Sequence, residues 1–239
     1  MSSHSDIESV ESKLLVPRVN PDLIARSPEV LVPTPQGNFL MTAWGFADHS
    51  EHLSLRAADS HGQPIGTEHS DQVPAVRLHS ECATGDIFGS FRCDCGPQLE
   101  KGLTMIQEVG GFLLYLRQHE GRGIGLVNKL RAYQLQQEGL DTVDANEAQG
   151  LDADARDYRQ ATIILQELGL ASLRLISNNP AKAHALKQAG IEITEILSDE
   201  IQPRPENQTY LETKRARMNH LFAPLQINSI NPTTTQEKP

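Results

Sequence analysis

The pattern of hydrophobic and polar positions divides the middle of the chain into alternating strands and helices. Short apolar runs predict four strands: VPAVRLHS (73–80), GFLLYLR (111–117), SLRLIS (172–177) and IEITEIL (191–197). Apolar residues repeating every three to four positions predict four helices: 124–139, 159–169, 180–190 and 208–222. The alternation over 159–197 favours parallel βαβ units. The pattern therefore predicts an α/β fold.

The domain organisation follows from where this pattern begins and ends. No internal repeat or low-complexity linker divides the patterned part, so one domain is expected. We predict a polar N-terminal extension over 1–28, a folded domain over 29–225 and a flexible tail over 226–239. The expected architecture is a single domain with a mixed, partly parallel sheet flanked by helices.

Composition and charge narrow the classes of partner. Hydrophobic residues make up 38% of 239 residues, and no apolar run approaches the ~20 residues of a membrane span. The start MSSHSDIESVESK has no apolar secretory core, so we expect a cytoplasmic protein. A net charge of −10 argues against nucleic acid or an anionic membrane as the main partner. Residues 75–134 carry seven Lys/Arg against six Asp/Glu, the part least repulsive to a small anion.

All three cysteines lie in CATGDIFGSFRCDC (82–95). In a reducing compartment such a cluster is more often a metal or catalytic site than a disulfide, and an odd number cannot pair completely. Cys93 and Cys95 would project to the same side of an extended or looped backbone, but about 200° apart on a helix. We therefore expect Arg92–Gly96 to be non-helical.

Three converging thiolates would hold Zn²⁺ at ~2.3 Å and leave its fourth position open, as in catalytic zinc sites. The alternatives are buried structural cysteines, or a closed site that His79 completes. A histidine at a strand end is more often a hydrogen-bonding residue, so we leave His79 out of the metal site. Glu81, next to the first ligand, suits proton handling or substrate orientation, unless it is a solvated carboxylate.

Three further motifs point to an anionic ligand. EGRGIG (120–125) follows a strand and opens a helix, so its backbone N–H groups can face phosphates, although it is also an ordinary strand-to-helix turn. SNNPAK (177–182) places an N-cap, a proline at the first helical position and a lysine after a strand. DADARD (152–157) sets three carboxylates around Arg156, a pattern also seen on solvated surfaces.

Together these segments resemble GTP cyclohydrolase II. The similarity runs through RLHSECATGDIFGSFRCDCGPQL (77–99), RQHEGRGIGLVNKLRAYQLQQEGLDTVDAN (117–146), DADARDY (152–158) and SNNPAK to about residue 221, in the family's order and spacing. Two departures are Ser177, where the family commonly has threonine, and His119, a one-residue insertion relative to some members. From its length we expect the monofunctional form, without a fused dihydroxybutanone phosphate synthase.

The resemblance implies a role for each matching position. Asp154 would be the proton acceptor, Arg156 the nucleophile toward the α-phosphate, and Tyr133 would assist ring opening. An arginine stays protonated below pH ~12, so we favour electrostatic stabilisation by Arg156. From the sequence alone, Tyr133 on the apolar stripe of helix 124–139 would instead be a core residue. The implied zinc ligands are Cys82, Cys93 and Cys95. The implied substrate-binding residues are Arg77, Leu78, His79, Ser80, Glu81, Gln98, Glu120, Gly121, Arg122, Thr142, Ser177 and Lys182.

The reaction that the resemblance implies is the hydrolysis of GTP to 2,5-diamino-6-ribosylamino-4(3H)-pyrimidinone 5′-phosphate, formate and pyrophosphate, the first committed step of riboflavin biosynthesis. It would use one Zn²⁺ per subunit and Mg²⁺ with the GTP phosphates, in a homodimer. Two alternatives are a relative that stops at the formamide intermediate or handles another nucleotide, and a non-catalytic, zinc-stabilised nucleotide-binding module.

Overall fold

The computed structural model describes residues 22–66, 73–207 and 211. Except for Leu211, the predicted helix 208–222 lies outside the described residues, as do the predicted tail and most of the N-terminal extension. None of the described helices combines the length and the apolarity needed to cross a bilayer.

Eight strands and seven α-helices form the described fold. The strands are β1 (Leu23–Arg26), β2 (Val30–Thr34), β3 (Gly37–Phe46), β4 (Glu51–Ala58), β5 (Ala75–Ser80), β6 (Gly111–Leu116), β7 (Ser172–Ile176) and β8 (Glu192–Leu197). The helices are α1 (Ala83–Asp86), α2 (Cys95–Val109), α3 (Glu120–Gly123), α4 (Gly125–Gln137), α5 (Thr142–Glu147), α6 (Arg159–Glu167) and α7 (Pro180–Gln188). A 3₁₀ turn follows at Pro205–Asn207.

The sheet is mixed, as the sequence predicted. Its order is β1-β3-β4-β6-β5-β7-β8, with β2 also paired to β3. The strands β1 to β4 form an antiparallel half, and β4 joins β6 in the antiparallel sense. The pairs β5–β6, β5–β7 and β7–β8 are parallel, which confirms the predicted βαβ layout.

Helices cover both faces of the parallel half. Successive side chains of β5 point to opposite faces of the sheet, so the strand contributes to a core on each side. Val76 and Leu78 pack on one face in a core with residues of α6 and α7. Ala75 packs on the other face in a second core with Ile106 of α2. Arg77 and His79 project to this second face, beneath α2.

The order of the parallel strands locates a crevice. From β5 the chain crosses to β6 on one side, then returns past β5 to β7 on the other side. In open α/β sheets, ligands bind outside the carboxyl ends of the strands at such a reversal. The end of β5 and the segment after it carry Ser80–Cys82, and the segment after β7 carries Ser177–Lys182. The topology thus brings two sequence motifs to one edge of the sheet.

Helix α4 departs from the sequence prediction in its orientation. The predicted helix 124–139 is found as α4, but its apolar stripe lies outside the core. The exposed fractions are 66% for Val127 and 51% for Leu130. The residues that α4 buries are Lys129 and Ala132.

Candidate active site

The three cysteine sulfurs converge at the carboxyl end of β5. Cys82 caps the N-terminus of α1, Cys93 lies in the following loop, and Cys95 is the first residue of α2. The Sγ atoms of Cys82 and Cys93 are 3.7 Å apart, and all three sulfurs lie within 4.8 Å of one another. Tetrahedral ligands ~2.3 Å from zinc are separated by about 3.8 Å. The spacing fits a shared metal ion.

The backbone at Cys95 corrects one expectation. Arg92–Gly96 is not wholly non-helical, because α2 begins at Cys95. Cys93 and Cys95 still converge because they straddle the helix start at Asp94, instead of sharing the regular helix that would separate them.

The charge of the cluster calls for a cation. Hydrogen bonds from the Cys93 and Cys95 thiols lower the pKa of Cys82, with Lys129 adding to this effect. The hydrogen bond to Cys82 raises the pKa of Cys93 to about 11. Hydrogen bonds to Cys82 and Cys93 raise the pKa of Cys95. One thiolate therefore opposes ionisation of the next. A bound divalent ion removes this opposition, and three thiolates are a donor set that zinc prefers.

His79 belongs to a separate network behind the sulfurs. Its Nε2 lies 3.1 Å from both carboxylate oxygens of Asp86. Oδ2 of Asp86 also accepts hydrogen bonds from the Tyr115 hydroxyl and from the backbone N–H of Cys82. Burial lowers the pKa of His79, more strongly than Asp86 raises it, so the ring is neutral at pH 7. The Asp86 carboxylate thus fixes the backbone of the first cysteine.

A cleft opens over the sulfurs, and most of the predicted residues line it. Of the predicted set, the cleft contains Ser80, Glu81, Cys82, Cys93, Cys95, Gly121, Arg122, Tyr133, Thr142 and Arg156. Gly121 and Arg122 both have positive φ, 60° and 65°, which turns the chain sharply after β6. A side chain at position 121 would come within 2.9 Å of Ile124, so the tight turn needs glycine.

Four predicted residues lie behind the cleft. Leu78 is a core residue with no exposed surface, because its side chain faces α6 and α7. The Arg77 guanidinium pairs with the buried Asp199 carboxylate and donates to the Ile176 carbonyl. Gln98 donates to the Asp94 carboxylate at 2.7 Å. His79 is held by Asp86, so none of these four side chains is presented to the cleft.

Ser177 and Lys182 occupy the adjacent end of β7, where the predicted cap is found. Asn179 accepts a hydrogen bond from the Ala181 N–H, and Pro180 opens α7. The Ser177 hydroxyl accepts from the Asn179 N–H, a contact that serine provides as well as threonine would. Lys182 is buried and donates at 2.6 Å to the carbonyl of Leu78 on β5.

Asp154 and Arg156 form an ion pair at the rim. Nε of Arg156 lies 2.8 Å from Oδ1 of Asp154. Burial would raise the pKa of Asp154, but the hydrogen bonds and charge of Arg156 outweigh it and lower the pKa. The carboxylate is therefore a weak base in this arrangement, better suited to orienting Arg156 or a cation than to taking a proton.

His119 connects the cleft to the segment after Asp154. Its Nε2 donates to the Asp157 carbonyl at 3.0 Å, which leaves Nδ1 to accept from the Ser80 hydroxyl at 3.2 Å. Burial, with Arg156 and Lys182 nearby, lowers the pKa of His119 to about 3, so the ring stays neutral. The sequence reasoning flagged the insertion but missed this contact, which depends on two distant segments.

Lys129 is a second residue whose contacts in the site the sequence did not predict. Its ammonium donates to the Cys82 sulfur at 3.0 Å, to the Thr84 hydroxyl at 2.8 Å and to the Glu120 carboxylate at 2.6 Å. The other oxygen of Glu120 accepts from the Ala83 N–H at 2.6 Å. Glu120, predicted to contact substrate, thus uses both oxygens to brace the cysteine loop. The signal available in the sequence was the position of Lys129, next to Leu130 on the apolar stripe of the predicted helix 124–139.

Comparison with known proteins agrees with this geometry. A family model described as GTP cyclohydrolase II matches residues 25–198, which include every cysteine and the whole described cleft. The chain belongs to the GTP cyclohydrolase II family.

Relatives of this GTP cyclohydrolase II chain carry the name riboflavin biosynthesis protein RibBA. The protein from Bacillus mycoides is 47% identical over 217 residues, covering 90% of this chain and 52% of the relative. The proteins from Rhodococcus erythropolis and Rhodococcus jostii are 49% and 52% identical, covering 89% and 82% of this chain and 50% and 47% of their own lengths. The chain spans about half the length of the curated relatives it matches.

Proposed function

We propose that this chain hydrolyses GTP to 2,5-diamino-6-ribosylamino-4(3H)-pyrimidinone 5′-phosphate, formate and pyrophosphate, using zinc, in riboflavin biosynthesis. Membership of the GTP cyclohydrolase II family supports the reaction, and the names of the relatives support the pathway. The observation that carries the proposal is the convergence of three thiols beneath a cleft at the reversal of the sheet.

Cys82, Cys93 and Cys95 would hold the zinc ion. Zinc held by these residues would lower the pKa of water toward ~7 and so would supply hydroxide for hydrolysis of the purine ring. Tyr133 lines the same cleft as the three cysteines, with its hydroxyl 3.4 Å from that of Thr84. Burial raises the pKa of Tyr133 despite the Thr84 hydrogen bond and Lys129. The phenol therefore keeps its proton and donates hydrogen bonds during ring opening.

The phosphates would lie toward Arg156 and the ends of β5 and β7. Arg156 and Arg122 line the cleft, and Lys182 lies behind it. Guanidinium groups suit the charge that develops as pyrophosphate leaves, and Mg²⁺ would accompany the phosphates. We assign Arg156 to electrostatic stabilisation, since a protonated guanidinium is a poor nucleophile.

The two alternatives make different demands on this site. A closed zinc module needs a fourth protein ligand, whereas the candidate metal cluster among the described residues consists of the three sulfurs. A relative that stops at the formamide has no need of a phenol at the cleft. The position of Tyr133 therefore favours complete turnover.

The proposal is tested with purified protein, GTP and Mg²⁺, following formate, pyrophosphate, product mass and metal content. We expect one zinc per chain and both products, and Cys93→Ser should lose zinc and formate release together. Wild-type protein stripped with a chelator and reloaded with zinc serves as the matched control. Formate release by metal-free Cys93→Ser would refute the metal site. A product that keeps its formyl group would favour the relative with altered chemistry. Nucleotide that binds but is recovered unchanged would favour the binding module.

A homodimer is part of the proposal. The two segments that line the cleft, residues 82–95 and α4, carry six exposed large apolar side chains, here called the apolar face: Ile87, Phe88, Phe91, Leu126, Val127 and Leu130. Their two segments meet where the Arg92 guanidinium lies 4.4 Å from the centre of the Tyr133 ring. Exposed apolar groups of this kind mark contact surfaces, and a second copy is the expected partner. A cytoplasmic location stays a prediction.

A further inference from the structure

Lys129 is buried, although its apolar neighbours on α4 are exposed. Only 8% of the residue is exposed, although the neighbouring Leu126, Val127 and Leu130 of α4 are at least 44% exposed. Burying an ammonium group is costly unless it is paired and hydrogen-bonded. The fold accepts this cost at Lys129, and the three contacts of its ammonium identify what the residue serves.

Each contact of Lys129 leads to the cysteine loop. It donates to the sulfur of Cys82 and to the hydroxyl of Thr84 on α1. Its third partner, Glu120, binds the first N–H of α1 at Ala83. The pair Lys129–Glu120 thus clamps the segment that begins with the first predicted metal ligand, and links it to the turn after β6.

We propose that Lys129 is a positioning residue for the metal site, holding the Cys82 thiolate by an N–H···S bond and withdrawing electron density from that sulfur. The inference rests on the proposed function in one respect, that the three cysteines bind a metal ion.

The charges of the site explain why such a group is needed. Three thiolates and a divalent ion leave one net negative charge, and the buried Glu120 carboxylate adds another. The Lys129 ammonium offsets one of them. A hydrogen bond to a thiolate also makes it a weaker donor, so the metal keeps more of its Lewis acidity.

Cobalt substitution tests this role through a readout other than turnover. Co²⁺ bound to thiolates shows sulfur-to-metal charge-transfer bands whose energy reports how electron-rich the sulfur is. In Lys129→Met the N–H···S bond is lost, so we expect the band to move to longer wavelength. Lys129→Gln retains a neutral donor and should move it less. Arg131→Met, which removes an exposed cation from the same helix, should leave the band unchanged.

A second variant guards against a folding defect. Lys129→Met alone leaves the Glu120 carboxylate buried without its partner, whereas Lys129→Met with Glu120→Gln removes both charges. The double variant should fold, bind Co²⁺ and show the same band shift. We expect kcat for formate release in Lys129→Met to fall about 10–100-fold, the range typical of groups that support metal ligands.

The outcomes separate this inference from the proposed function. A folded, cobalt-loaded double variant with the wild-type band would overturn the role of Lys129. Wild-type protein that binds neither zinc nor cobalt would instead refute the metal site. A shifted band without any loss of kcat would limit Lys129 to holding the sulfur and overturn its effect on the metal's acidity.

Discussion

At the scale of the residue, Tyr133 shows how much the surroundings of a side chain decide. Its place on an apolar stripe predicts core packing, whereas the resemblance to GTP cyclohydrolase II implies a part in the chemistry. In the structure it lines the cleft, against Arg92 and near Lys129. The helical repeat could not distinguish core packing from a part in the chemistry. It shows on which side of the helix Tyr133 lies, but not which residues that side contacts.

Tyr133→Phe should separate chemistry from binding. Removing one hydroxyl leaves the ring contacts, so we expect formate release to slow by about 100-fold, as for a lost proton-transfer partner, with nearly unchanged nucleotide affinity. Single-turnover kinetics measure the rate of formate release, and calorimetry with a non-hydrolysable GTP analogue measures the nucleotide affinity. Equal losses in both, at full zinc content, would assign Tyr133 to packing.

At the scale of the element, α1 and the start of α2 approach each other through glycine. A Cβ at Gly85 would lie 2.9 Å from the Cys93 sulfur and 3.2 Å from the Cys82 sulfur. A Cβ at Gly96 would lie 2.5 Å from the Gly85 carbonyl. The two helix ends can therefore bring their cysteines together only while these positions lack side chains. The sequence alone shows the glycines but not this contact.

Gly85→Ala should damage the metal site. The added methyl overlaps the sulfurs, so we expect zinc content to fall well below one per chain and the free energy of unfolding to drop by about 1–3 kcal/mol. Metal analysis and chemical denaturation measure these. In Gly89→Ala the Cβ would meet nothing within 4 Å and only the positive φ of 61° is strained, so this control for the loop should keep its zinc. Wild-type zinc affinity in Gly85→Ala would contradict the packing argument.

At the scale of the whole molecule, the orientation of α4 explains the apolar face. The helix turns Lys129 inward to Cys82, and this rotation necessarily leaves Val127 and Leu130 outside. Exposed apolar area of this kind is stabilised when a second copy covers it. The same rotation thus brings Lys129 to the cysteine cluster and exposes the surface that we propose for assembly.

Val127→Glu should weaken the homodimer that we propose. A carboxylate buried against apolar groups carries a desolvation cost, so we expect the dimer dissociation constant to rise at least about tenfold. Sedimentation equilibrium over a range of concentrations measures it. Gln188→Glu places the same charge at an exposed position on α7 and should have no effect. A wild-type chain that is monomeric at micromolar concentration would contradict this assignment of the face.

The sequence by itself determined several local elements and the family. Period-two and helical repeats predicted the strands β5 to β8 and the helices α4, α6 and α7, because those patterns reflect only the local backbone geometry, but they did not predict α2 or the strands β1 to β4. The Asn179–Pro180 cap was predictable for the same reason. The clustering of three cysteines, with the linked motifs, was sufficient for the GTP cyclohydrolase II assignment, which the family model confirms.

Only the tertiary structure decided which side chains face the cleft. Leu78 and Arg77 precede Ser80 by two and three residues, yet the pleat and the layers on each side send them to the core and to Asp199. Lys129 and His119 enter the site through partners 47 and 39 residues away, Cys82 and Ser80. Such contacts depend on how distant segments pack together, and no local repeat encodes that.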